Sequence, residues 1–208
     1  MTAIIGDLHF GKESFSEKVY ENQIYFFKKQ FFPYLLKNKI KTVVSVGDVF
    51  DNRTKQDVNF LLKLKRDFFQ FFSENKINFI AILGNHDIYY RNTRSVYTLA
   101  IFEDMEYITV ISEKTLITLE NIEWELIPWL LKDEELNPRS KYIMGHFEIQ
   151  GFYMIKNFKS TDGISINNLR GMEKVISGHF HLKQKSEHNN IIEYLGTPFG
   201  LDWNDVNE

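Results

Sequence analysis

Short apolar runs ending in glycine alternate, along the first half of the chain, with long segments whose apolar residues recur every three or four positions. Thr2–Ile5, before Gly6, has the form of a buried strand. Ser14-Phe15-Ser16-Glu17 reads as a capping box. It opens a predicted helix reaching about Asn38, with Tyr20, Ile24, Phe27, Phe31 and Leu35 on one face and Pro33 kinking or splitting it. Thr42–Val46 is the second strand, and Thr54-Lys55-Gln56-Asp57 the second cap signal. The helix after that cap carries Phe60, Leu61, Leu64, Phe68, Phe71 and Phe72, and Ile77–Leu83 is the third strand. Strand, helix, strand, helix, strand implies parallel pairing with right-handed crossovers. From Tyr107 the pattern shortens to β-like runs, at 108–111, 115–118, 122–127, 142–144, 174–176 and 191–194. No repeat, low-complexity tract or linker interrupts it, so residues 1–208 read as one α/β domain with a β-rich second half.

Composition narrows the possibilities. A chain of 208 residues supports one well-buried core, and 43% apolar with 25% charged residues is a globular balance. The 19 Phe fall at core periodicity, which reads them as interior packing rather than as a membrane or partner surface. Lys plus Arg (25) against Asp plus Glu (28) gives a net charge of −3, which excludes a polycationic nucleic-acid coat. It leaves nucleic-acid enzymes open, because bound cations can supply positive charge where phosphate sits. The absence of cysteine excludes disulfides, Fe–S clusters, thiolate zinc sites and cysteine nucleophiles. No signal peptide or membrane-length apolar run is present, so a cytoplasmic protein without membrane contact is expected. The sequon Asn52-Arg53-Thr54 therefore carries no weight.

The chemistry lies just past the predicted strands. Gly6-Asp7-Leu8-His9, Gly47-Asp48-Val49-Phe50-Asp51, Gly84-Asn85-His86-Asp87, Gly145-His146 and Gly178-His179-Phe180-His181 each follow a strand. Ligand sites of open α/β sheets form at carboxyl strand ends, so five such loops can converge. Of the six histidines, five lie in these loops, and His188, in a turn-like stretch, reads as surface. Each motif alone is commonplace; their joint placement is not. Imidazole, carboxylate and amide oxygen together form a mixed N/O set suited to Mn²⁺, Fe or Zn²⁺ rather than Ca²⁺. Asp87 reads as a brace for its loop.

The ordered series Asp-x-His, Gly-Asp-x-x-Asp, Gly-Asn-His-Asp, Gly-His, Gly-His-x-His, spanning residues 5 to 181, resembles the calcineurin-like metallophosphoesterase superfamily. Within it, Glu125-Leu126-Ile127-Pro128-Trp129, Gly145-His146-Phe147-Glu148 and Tyr194-Leu195-Gly196-Thr197-Pro198 resemble SbcD-type DNA nucleases, especially the tailed-phage recombination endonuclease branch. The resemblance implies a four-layer α/β/β/α sandwich with two mixed sheets and a dinuclear site at the strand carboxyl ends. Asp7, His9 and His181 would hold one metal, Asn85, His146 and His179 the other, and Asp48 would bridge them. The cofactors implied are two divalent ions, Mn²⁺ first, with Fe or Zn²⁺ as alternatives. Two such ions bring +4 against −2 from Asp7 and Asp48, and the remaining +2 can attract a phosphodiester and stabilise an attacking hydroxide. His86 would be the non-ligand histidine that protonates the leaving oxygen or stabilises the transition state. Asp51 matches the carboxylate that pairs with it, Arg53 is a candidate phosphate contact, and Glu148 and Tyr153 are candidate cleft residues. The function implied is a DNA nuclease subunit, exo- or endonucleolytic, in recombination and repair. It would work as a homodimer, with Asn92–Asp104 contributing, beside an SbcC-type coiled-coil ATPase. A phosphatase or small-molecule phosphodiesterase is the alternative; a scaffold without chemistry would have lost ligand positions that are all present here. A capping region normally follows the Gly196-Thr197-Pro198 turn in this family, so this chain is expected to lack one.

Overall fold

The structure, a computed structural model, describes residues 1–132, 134–186 and 191–200; His188 lies outside them. The first sheet holds β1 (Thr2–Ile5), β2 (Thr42–Ser45), β3 (Asn78–Ile82) and β4 (Ile108–Ile111), in that spatial order. The second half contributes β5 (Thr115–Leu119), β6 (Ile122–Ile127), β7 (Tyr142–His146), a small hairpin of β8 (Tyr153–Ile155) and β9 (Phe158–Lys159), then β10 (Lys174–Gly178), β11 (Gln184–Lys185) and β12 (Ile192–Tyr194). Six of these form a second sheet in the order β11-β12-β10-β7-β6-β5.

Side-chain alternation stacks the two sheets. Val43, Phe79 and Ala81 point to the helices, whereas Val44, Ile80 and Ile82 point to the second sheet, meeting Trp124, Leu126, Met144 and Ile176. The opposite parity of the second sheet (Ile127, Ile143, Val175, Ile192) packs under Leu136, Phe147, Phe152 and Leu169. The expected two-sheet sandwich is thus present, with two differences. Every pair in the first sheet is parallel, so only the second is mixed. Among the described residues, the outer layer over the second sheet is loops and one 3₁₀ turn (Ile166–Leu169) rather than α-helix.

The helical layer is two long helices, each interrupted by one π-helical turn. α1 covers residues 17–37, as Glu17–Phe26, a π turn Phe27–Phe31 and Phe32–Lys37. Pro33 therefore neither breaks nor splits it: the wider turn before the proline makes room for the ring, which a regular turn would force against the carbonyl four residues back. α2 covers residues 58–75 with its π turn at Lys65–Phe69, and the adjacent Phe68 and Phe69 are both fully buried. Rings from both helices interlock, Phe32 stacking on Phe71 at 3.8 Å between centroids, and Phe69 of the second stacks on Phe102 at 4.2 Å.

Both predicted caps are misplaced. Ser14 sits in a left-handed turn with Glu13 and Phe15, and α1 starts after Ser16, whose side chain caps nothing. α2 is capped by Asp57, whose carboxylate accepts from Phe60 N at 2.8 Å, and Thr54 lies outside the helix. β7 and β10 each run two residues beyond their predicted ends, so Gly145, His146 and Gly178 lie on strands. The 92–104 segment forms turns and a 3₁₀ helix (Thr98–Phe102). Among the described residues no helix is long and apolar enough to cross a membrane.

Candidate metal centre

Carboxyl ends of β1, β2 and β3 from one sheet face those of β7 and β10 from the other, and the five loops meet there. Asp7 follows β1, and its carboxylate accepts from His179 N at 3.0 and 3.2 Å, joining positions 172 residues apart. Asp48 accepts from His86 N at 2.8 Å through Oδ1, while its Oδ2 lies 3.2 Å from His146 Nε2 and 3.7 Å from His9 Nε2. Asn85 Oδ1 lies 2.9 Å from His146 Nε2 and 3.1 Å from His179 Nδ1. His9 and His181 bring their Nε2 atoms to 3.0 Å. All seven predicted ligands thus gather at one place, with Asp48 between the His9/His181 pair and the His146/His179 pair.

Local backbone is bent to achieve this. His9 (φ 45°), Asp48 (φ 47°) and His179 (φ 92°) occupy the left-handed region, a cost of about 1–3 kcal/mol each for such residues. Gly47 is also left-handed, at φ 111°, and a Cβ there would lie 2.2 Å from the His146 ring. At Gly84 a Cβ would lie 2.1 Å from Asp48 Oδ1 and 2.4 Å from its main-chain N. Gly84→Ala is therefore expected to cost about 2 kcal/mol and lower Tm by roughly 4–8 °C in a thermal melt. An unchanged melt would show that Asp48 can move without penalty.

Asp87 is the brace the sequence suggested. It is fully buried, and its carboxylate accepts from Phe50 N at 3.0 Å and Gly84 N at 2.9 Å, joining the loops that carry Asp48 and Asn85.

The electrostatics are those of a crowded, desolvated cluster. Burial, then the neighbouring Asp48 charge, pushes Asp7 up to about 7. Burial would raise Asp48 as well, but the attraction of His146 holds it well below the usual carboxylate range. Burial opposes a charge on His146, yet Asp48 and Asp7 push it up to about 9. His179, buried and beside His146, falls to about 3 and so stays neutral, the form in which imidazole binds metal.

These residues fit divalent cations. Among the described residues, His9, Asp51 and His86 form one group with ligand atoms all within 4.8 Å of one another, and Asp48, His146 and His179 form another. Asp51 Oδ1 lies 3.2 Å from His9 Nδ1 without hydrogen-bond alignment, so this buried nitrogen makes no hydrogen bond. Facing imidazole nitrogens, a donor atom left unbonded and buried carboxylates are what a cation between them would satisfy.

The proposed pairing of His86 with Asp51 takes a different form. His86 Nδ1 lies 2.6 Å from the Asp51 main-chain oxygen, while the Asp51 carboxylate faces His9 and, at 3.7 Å, Lys12 Nζ. Arg53 donates to the carbonyl of Asn85. Glu148 lines a cleft that opens beside His146; Tyr153 sits on the β8–β9 hairpin, bonded through its main chain to Gln184. Sequence reasoning missed Trp129, whose ring lies 5.0 Å from that of His179 and 5.9 Å from that of His146. It also missed Arg94, a buried guanidinium that donates to Trp129 O at 2.9 Å and to both oxygens of Glu134 at 2.6 and 2.7 Å. Trp129 ends the Glu125–Trp129 stretch, and nothing in the sequence distinguishes Arg94 from a surface arginine.

Known proteins place this arrangement. The chain is 30% identical to Exonuclease subunit 1 of Enterobacteria phage T4, over 98% of its own length and 61% of that protein. It is 26% identical to the DNA double-strand break repair protein Mre11 of Sulfolobus acidocaldarius, over 93% of its own length and 53% of that protein. It therefore spans only a little over half of each relative. Among solved structures, nuclease MPE of Pseudomonas putida shares the fold, with a TM-score of 0.50 at 16% identity, covering 95% of this chain and 76% of that one. The family model for calcineurin-like phosphoesterases matches residues 2–183, nearly the whole of the two-sheet domain with all five loops, and the chain belongs to that family.

Proposed function

We propose that this protein is a divalent-cation-dependent DNA nuclease subunit that hydrolyses phosphodiester bonds. The observation that carries the reading is the gathering of Asp7, His9, Asp48, Asn85, His146, His179 and His181 around Asp48, with the His86 ring held beside them. The names of the two relatives, an exonuclease subunit and a break-repair protein, support DNA as the substrate. Mn²⁺ is the proposed ion, with Fe or Zn²⁺ compatible with the same N/O donors. Cations held there supply Lewis acidity toward the phosphodiester and lower the pKa of a water.

The protein's own residues do the rest. A carbonyl only accepts, so the Asp51 oxygen places the His86 proton on Nδ1 and leaves Nε2 to face substrate. When protonated, Nε2 can donate to the leaving oxygen as the P–O bond breaks. Asp51 acts here by orienting His86 through its main chain and by facing His9 with its carboxylate. A coiled-coil ATPase of the SbcC type and a second copy of this chain are the proposed partners, and the exposed Tyr90, Val96 and Ile101 suit the latter contact. The cytoplasm is the proposed location, and residues 1–208 are taken as one nuclease domain.

The test is metal analysis combined with turnover of single-stranded and plasmid DNA, and of bis(p-nitrophenyl) phosphate, in Mn²⁺. Cleavage of DNA is expected. Cleavage of the small ester alone would favour a small-molecule phosphodiesterase. Cation binding carries its own prediction. Ligation needs Asp7 ionised and His146 neutral, and these lie at about 7 and about 9. Affinity should therefore rise with pH through both values. Binding near pH 6 should release about two protons and near pH 8 about one, measured by calorimetry in buffers of different ionisation enthalpy. Release independent of pH would contradict these assignments.

A further inference from the structure

Two clefts flank Trp129, and they differ in charge. The larger, about 770 Å³, carries Glu135 and Glu148 against Lys132, with its third carboxylate, Glu134, paired to Arg94. The smaller, about 580 Å³, opens beside His86 and carries Arg53 and Arg91, with Asp51 its one carboxylate. Its size suits a nucleotide. From the second cleft, and on the nuclease reading above, we infer that it is a subsite for the nucleotide adjoining the scissile phosphodiester of a DNA strand. Arg91 and Arg53 take that nucleotide's phosphate, and the Trp129 ring takes its base.

The walls of this cleft are tied to the metal centre and to each other. Arg53 is held by the main-chain carbonyl of Asn85, whose side-chain oxygen meets His146 and His179. Trp129 N donates to Leu83 O at 2.8 Å, one residue before Gly84. The loop that presents Arg91 is closed by Tyr89 N donating to Val96 O at 2.8 Å. Arg94, at the far side of the same loop, binds Ser112 O at 2.7 Å and Trp129 O at 2.9 Å. Arginine loop and tryptophan loop are thus one braced unit, with the ring beside His179. A polyanion approaching the metal centre meets carboxylates on one side of Trp129 and guanidinium groups on the other. The strand therefore runs over the Arg53/Arg91 side, where phosphate pairing and base stacking can act together.

The experiment measures equilibrium binding of a fluorescent single-stranded oligodeoxynucleotide by anisotropy over a range of salt, alongside turnover of the oligonucleotide and of bis(p-nitrophenyl) phosphate. Arg91→Ala should weaken oligonucleotide binding about tenfold and reduce the slope of log K against log salt by about 0.7, the value of one phosphate contact on a single strand. Arg91→Lys should restore the slope. Trp129→Ala should weaken binding tenfold or more with the slope unchanged. In turnover, both alanine variants should lose at least tenfold more on the oligonucleotide than on the small ester. Wild-type affinity and slope in Arg91→Ala, or equal losses on both substrates, would overturn the subsite while leaving a DNA-cleaving wild type as evidence for the nuclease. A wild type that turns over only the small ester would overturn both.

Discussion

Asp48→Ala is expected to lose at least one of the two proposed cations and to lower turnover by about 10²–10³-fold, the scale of removing a preorganised electrostatic group at the reacting centre. The reason is position. Asp48 approaches imidazoles on both sides, His146 at 3.2 Å and His9 at 3.7 Å. Without it, the carboxylate left beside His146 is that of Asp7, 3.5 Å from Nδ1. Asp48→Asn separates chemistry from folding, because the amide oxygen can still accept from His86 N, the 2.8 Å bond that ties the loop after β2 to the loop after β3. The asparagine variant should melt within a few degrees of the cation-free wild type, yet bind fewer ions by plasma emission analysis. Two ions retained in Asp48→Ala would remove Asp48 from the bridging role.

His86→Ala should behave in the opposite way, keeping the cations and losing about 10²–10⁴-fold in turnover, the usual contribution of a positioned proton donor. The structure sharpens this test, because His86 also lies within ligand range of His9 and Asp51. Its Nδ1 is occupied by the Asp51 carbonyl, which leaves Nε2 as the nitrogen that donates a proton or binds an ion, and the retained ions decide between them. Loss of an ion in His86→Ala would reverse that assignment and make His9, Asp51 and His86 one metal group.

The strand ends were the most legible part of the chain. An apolar run, then glycine, then Asp, Asn or His is readable because each glycine marks a place where no Cβ fits, as at Gly47 against His146 and Gly84 against Asp48. Five of the seven proposed ligand positions follow from that pattern directly, and His9 and His181 lie two residues further along the same loops. Helix boundaries were less legible, because a hydroxyl followed three residues later by a carboxylate occurs at both starts, and tertiary packing chose Ser16 and Asp57 instead. The π turns carry no local signature, and Phe68 and Phe69 reveal theirs only by both being buried. Side-chain identity also says little about main-chain acceptors. Asp51 was read for its carboxylate, but its carbonyl holds His86. Arg94 was unreadable for a related reason, since its partners lie 18, 35 and 40 positions away and two of them are main-chain oxygens.

The bond from His179 N to the Asp7 carboxylate joins the turn after the first strand to the turn after the tenth. On the ribosome, the parallel sheet of β1 to β4 and its two phenylalanine-rich helices can collapse while the second sheet is still being synthesised. The proposed cation cage cannot: three of its seven residues, His146, His179 and His181, arrive only with β7 and β10. Filling of the complete centre should therefore be the closing event of biogenesis, and a nascent chain halted before residue 146 should emerge folded in part yet bind fewer manganese ions than the whole chain.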